Sequence, residues 1–174
     1  MNENDKIQKL TDFQDNEEWQ KAIRLGKSLL KSSPKDHWLL TNISTSYYEA
    51  RQYDTALLFS KKALKIAPAC PLVLWDYAGS LDMLEREKEA IKIWEKLLRK
   101  SVKTLAFGDC GEGIQWTESM LNDCRYRIGN SYANLGKKKL AIKYLKAHLE
   151  FRRPGLTSLY NQKEIKKKLS ALLE

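Results

Sequence analysis

Between Pro34 and Pro68 the chain carries two helical patterns joined by a short polar turn at Ala50–Asp54. In the first, Leu40, Ile43 and Tyr47 recur at spacings of three and four, which puts them on one helix face. In the second, Ala56, Ser60, Ala63 and Ile66 do the same and the pattern stops at Pro68. Proline has no amide hydrogen and clashes with the preceding turn, so it ends the helix there. The small side chains of Ala56 and Ala63 let the two helices lie close together. A hairpin of this kind recurs along the chain, so the sequence predicts an array of helical hairpins.

Composition agrees with that reading. Of 174 residues 43% are hydrophobic and five are tryptophan, enough to bury a core and to exclude a disordered chain. Glycine and proline are few beside Leu, Lys, Ala and Glu, which favours helix over sheet. No apolar run is long enough for a membrane span, and the polar start MNENDKIQKL lacks the apolar stretch of a secretory signal. Cys70, Cys110 and Cys124 are odd in number and contain no CxxC pair. That argues against a disulfide framework and leads to the expectation of a reducing, cytoplasmic setting; whether Cys110 and Cys124 ever pair is left open.

The net charge of +9 lies mostly after Gly136, in Lys137–Lys139, Lys143, Lys146, Arg152, Arg153, Lys163 and Lys166–Lys168. Residues 1–36 roughly balance. The plain reading of the basic third is a solvated, lysine-coated helix surface. An adaptor surface for nucleic acid or an acidic partner ranks behind it, because the aromatics that single-strand binders interleave with their cations are missing.

Taken in order, residues 1–14 carry Ile7, Leu10 and Phe13 on one face, and about Glu17–Ser32 carries Trp19, Ala22, Ile23, Leu29 and Leu30 before Pro34. The 34 residues from Pro34 to Pro68 suggest a single register for the whole chain. On it, Tyr47, Ala56, Ala63 and Pro68 mark the second unit, and Ala78, Leu81, Ala90, Trp94 and Leu97 the third. The stretch IGNSYANLGKKKLAIKYL, with Ile128, Gly129, Tyr132, Gly136, Ala141 and Leu145, marks a fourth. The first unit keeps only Ala22 and Pro34, as expected of an end repeat with one face in water.

These positions resemble the tetratricopeptide repeat, whose period is 34 residues. The resemblance implies an all-α, right-handed superhelical solenoid, a single domain with repeats at about 3–36, 37–70, 71–104 and 122–155. An insertion, 105–121, interrupts it: Gly108, Gly111 and Gly113 read as loop, and Ile114, Trp116, Met120 and Leu121 as a helical approach to the fourth unit. Insertions in such arrays tend to form loops on the binding face. After Pro154–Gly155, a helix over about 161–173 begins with Asn161 and Glu164 in a capping-box arrangement. It sets Ile165, Leu169, Leu172 and Leu173 opposite its lysines, as a lid on the last hairpin.

The same resemblance implies a concave surface lined by the first helix of each unit. Carried onto this register, its peptide-binding positions are Trp38, Asn42, Thr45 and Tyr48, then Trp75, Asp76 and Asp82, then Tyr126, Arg127 and Asn130. The aromatics would anchor a peptide, and the polar groups would orient its backbone or terminus. The carboxylate clamp of chaperone-binding members is not expected: Asn42 fits it, but Asp76 and Leu72 stand where its arginine and lysine would be.

No catalytic constellation is visible. No base accompanies a cysteine, GDCGEG lacks the Gly-Lys-Ser/Thr ending of a phosphate loop, and the spacing around Cys110 and Cys124 is not that of a zinc site. The expectation is a scaffold without enzymatic activity, metal or cofactor, which binds a segment of another protein. Chaperoning of one specific client is a variant of that reading.

Overall fold

The computed structural model describes residues 3–174, which form ten helices and no strand among the described residues. The all-α expectation holds. Two compact units divide the chain at Leu84–Glu85. The first contains α1 (Glu3–Asp15), α2 (Trp19–Ser32), α3 (His37–Glu49), α4 (Tyr53–Ile66) and α5 (Pro71–Met83). The second contains α6 (Glu87–Leu98), α7 (Val102–Ala106), α8 (Ile114–Asn134), α9 (Lys138–Glu150) and α10 (Gln162–Leu173).

Helix ends follow local chemistry. Asp36 caps α3 by accepting from the Leu39 amide at 3.1 Å, and Pro71 opens α5 at a position whose amide would be unpaired anyway. Two residues past the ends of α1, α3, α5 and α8 the backbone is left-handed. Glu17, Arg51 and Glu85, at φ 57°, 58° and 57°, follow one another at intervals of 34 residues. Gly136, at φ 67°, takes the corresponding place in the hairpin of α8 and α9. The same closing bond recurs beside three of these residues: Glu18 N–H to Phe13 O, Gln52 N–H to Tyr47 O and Lys137 N–H to Tyr132 O, each 2.8 Å. Side chains disfavour that conformation, and only Gly136 adopts it without a Cβ penalty.

In the first unit each helix packs on its successor, and α3 also packs on α5. Leu10, Ala22, Leu29 and Leu39 form one cluster, and Ile23, Ile43, Tyr47 and Ala56 a second. Polar side chains tie the layers together: Ser44 donates to Ala56 O at 3.0 Å, and Gln14 donates to Asn42 O and Ser46 Oγ, both at 3.0 Å.

In the second unit α8 packs on α6, α7 and α9, and α9 packs on α10. Its fully buried side chains include Trp94, Leu97, Ile128, Leu145, His148 and Ile165. Burial of Ile165 fits α10 as a lid, and Asn161 caps that helix by accepting from Lys163 N–H at 2.8 Å. The 105–121 segment is less of a loop than its glycines suggest. Val102–Ala106 is a short helix with Leu105 and Ala106 buried, and α8 already begins at Ile114. Gly129 allows α8 and α9 to meet, because a Cβ there would lie 2.9 Å from Leu145 Cγ and 3.1 Å from its amide nitrogen. Overpacking outweighs the gain in helix propensity, so Gly129→Ala should lower unfolding stability by about 1 kcal/mol in denaturant titration.

Candidate functional site

The face of the first unit built from α3 and α5 brings together the predicted residues of the second and third repeats. Thr45 Oγ1 lies 2.7 Å from Asp76 Oδ2 and 3.1 Å from Thr41 O. One hydroxyl carries one hydrogen, and Thr45 donates it to Asp76 Oδ2, the shorter of the two contacts. Burial raises the Asp76 pKa to about 7, the Thr45 bond opposes the shift, and the nearby Glu49 carboxylate adds to it. Trp75 and Asp82 are half-buried on the same helix.

The other aromatics of this face are partly committed to packing. Trp38 leans on the Leu10–Leu39 cluster, and Tyr48 packs on the second cluster with its ring edge-on to Tyr53 at 5.4 Å. Asn42 donates to Trp38 O at 2.9 Å. Neither α3 nor α5 contains a lysine or arginine, while Glu49, Asp76 and Asp82 lie on them.

In the second unit the corresponding positions are engaged by the chain itself. Tyr160 stacks on Tyr126 with ring centroids 3.9 Å apart, and Lys168 of α10 donates to Asn130. Asp123 accepts from Ser158 Oγ at 2.6 Å and from Leu159 N–H at 2.9 Å. The Arg127 guanidinium sits 5.2 Å from the ring of Trp94. Segment 156–161 therefore lies as a strap along the face of α8 where the sequence placed a groove. Nothing in its composition announces this role; the Asp123, Tyr126 and Tyr160 contacts appear only when the chain folds back from Pro154.

His148 and Arg152 hold the base of the strap. His148 is fully buried, and its Nδ1–H donates to Asn122 O at 2.8 Å. Arg152 donates to His148 Nε2 at 3.2 Å and to Tyr160 O at 2.9 Å. The two bonds made by the ring, through Nδ1 and Nε2, together require its neutral form with the hydrogen on Nδ1. Burial lowers the His148 pKa, so its contribution is complete above its ordinary value of about 6.5 and is lost as pH falls below it. Burial also raises the Asp123 pKa, which acts with the opposite sign and offsets part of that loss.

No disulfide joins Cys70, Cys110 or Cys124. Cys124 is fully buried, and burial pushes its thiol up, away from the thiolate that nucleophilic chemistry needs. Among the described residues no helix is long and apolar enough to cross a membrane.

The tetratricopeptide-repeat family model matches residues 123–153, the α8–α9 hairpin. Solved structures extend the likeness to nearly the whole chain. MamA from Desulfovibrio magneticus RS-1 (residues 41 to the end) aligns at a TM-score of 0.73 and 14% identity, covering 96% of this chain and 81% of that one. The chain has the tetratricopeptide-repeat fold. A double mutant of MamA from strain RS-1 gives a TM-score of 0.72 at 14% identity, covering 96% and 80%. YrrB, described as a tetratricopeptide-repeat protein with an unusual peptide-binding site, gives 0.50 at 14% identity, covering 84% of each chain. No curated protein matches at the level of sequence.

Proposed function

We propose that the protein is a non-enzymatic binding scaffold whose α3–α5 face holds a short segment of another protein. The observation that carries this is the acidic character of the face: Glu49, Asp76 and Asp82 with no cation on either helix. Trp75, half-buried beside Asp76, supplies the apolar anchor, and Thr45 and Asn42 supply polar contacts. The segment bound carries at least one lysine or arginine directed at Asp76. Tyr126, Arg127 and Asn130 are left to the strap and the core, so the ligand site lies in the first unit. A cytoplasmic setting belongs to this proposal.

A peptide-display selection on the immobilised protein tests it. Recovered sequences should be enriched in Lys or Arg. Their affinity should fall at least about tenfold in Trp75→Ala/Asp76→Lys, where an anchor is lost and the charge is inverted. Lys166→Glu/Lys167→Glu/Lys168→Glu should leave binding within about twofold. Peptides without cations, or binding lost equally in the lysine variant, would sink the proposal.

A further inference from the structure

The summed charge of the first repeats hides a separation that the fold makes plain. Helices α2 and α4 carry Lys21, Arg24, Lys27, Lys31, Lys61, Lys62 and Lys65 against the single acid Asp54. No Asp or Glu occurs from residue 19 to 35 or from residue 55 to 75. The acids that balance these cations lie elsewhere, on α1, α3, α5 and the turns.

A groove of about 470 Å³ runs between α2 and α4. Leu30, Pro34, Leu40 and Ile66 line it as apolar surface, and Lys27, Lys31, Lys62 and Lys65 line it as cations. All four lysines are exposed. Lys27 and Lys62 are held over aromatic rings, with Lys27 Nζ 5.0 Å from the Tyr47 centroid and Lys62 Nζ 5.1 Å from that of Phe59. Their charges are thus held at the groove edge by cation–π contacts, and among the described residues no ion pair engages either one.

We infer that this α2–α4 groove is a second binding surface, and that its partner is an acidic protein segment carrying an apolar residue. The charge selects the partner: four cations around an apolar floor favour Asp and Glu flanking a Leu or Phe, and disfavour the cationic ligand proposed for the α3–α5 face. Two ligands of opposite charge could then occupy the first unit together.

The test uses a fluorescein-labelled twelve-residue peptide of Glu and Asp with two leucines, titrated with the full chain and read by anisotropy. Saturable binding that weakens as salt rises is expected. Replacing the leucines with serine, or the acids with their amides, should weaken it at least about fivefold. Lys31→Glu/Lys65→Glu, which leaves both cation–π lysines in place, should weaken it at least about tenfold. Asp76→Lys and Lys166→Glu/Lys167→Glu/Lys168→Glu should leave it unchanged, with circular dichroism confirming the fold of each variant. Equal binding of the serine peptide would overturn the inference, as would equal loss with the α10 lysines. So would sedimentation with phosphatidylserine vesicles in the absence of peptide binding, since the surface would then be a membrane contact.

Discussion

Asp123→Ala should lower the unfolding free energy by about 2–3 kcal/mol and release the strap from α8. The carboxylate is buried and accepts two bonds, from the Ser158 hydroxyl and the Leu159 amide. Removing it leaves a backbone donor without its partner, and such losses cost about 1–3 kcal/mol each. Burial has already raised the Asp123 pKa, so part of the gain from those bonds is spent on desolvation, and the expected loss lies below the simple sum. Asp123→Asn keeps one acceptor oxygen and should lose about half as much. Hydrogen exchange at the Leu159 amide is the direct readout. It should speed up in Asp123→Ala well before the amides in the middle of α8. Unchanged protection at Leu159 would show that Tyr160, stacked on Tyr126, holds the strap without Asp123.

The repeat fold was legible because prolines and small residues mark hairpin ends and crossings, and those marks are local. The left-handed turns were only partly legible. Gly136 announces one, but Glu17, Arg51 and Glu85 are ordinary charged residues whose shared left-handed conformation no local signal marks. The short helix α7 was hidden by the glycines that follow it; Leu105 and Ala106 are buried by packing against α8, not by any local signal. The strap was not legible for a similar reason. Its contacts with α8 join residues 34 to 38 apart, and Ser158 and Tyr160 carry no periodic pattern. The charge separation was present in the sequence but lost in segment totals. Summing residues 1–36 mixes the acids of α1 with the cations of α2, and only the hairpin sorts them onto different helices.

Asp76 makes the α3–α5 face sensitive to pH near neutrality. Its folded pKa of about 7 stands above the ordinary 3.8, so between these values the folded protein holds a proton that the unfolded chain has released. The stability linked to this group is complete below about 3.8 and is lost as pH rises through about 7. A three-unit shift corresponds to about 4 kcal/mol at most, and for a half-buried carboxyl in contact with water about 2 kcal/mol is expected. Asp76→Asn imitates the uncharged acid, since its side-chain oxygen can still accept from the Thr45 hydroxyl. The variant should match the wild type near pH 4 and exceed it by about 2 kcal/mol near pH 8, a rise in Tm of about 4–8 °C. Equal pH dependence of the two proteins would show that Asp76 stays ionised throughout. Binding on this face runs the other way. A ligand whose lysine or arginine pairs only with the ionised carboxylate finds about a tenth of the molecules competent near pH 6 and about nine tenths near pH 8, so its affinity should rise about tenfold over that range. In Asp76→Asn the rise should vanish while Trp75 still contributes its contact. Stability and affinity with opposite pH slopes, both abolished by one substitution, distinguish a ligand-reading carboxyl from one that only fills space between α3 and α5.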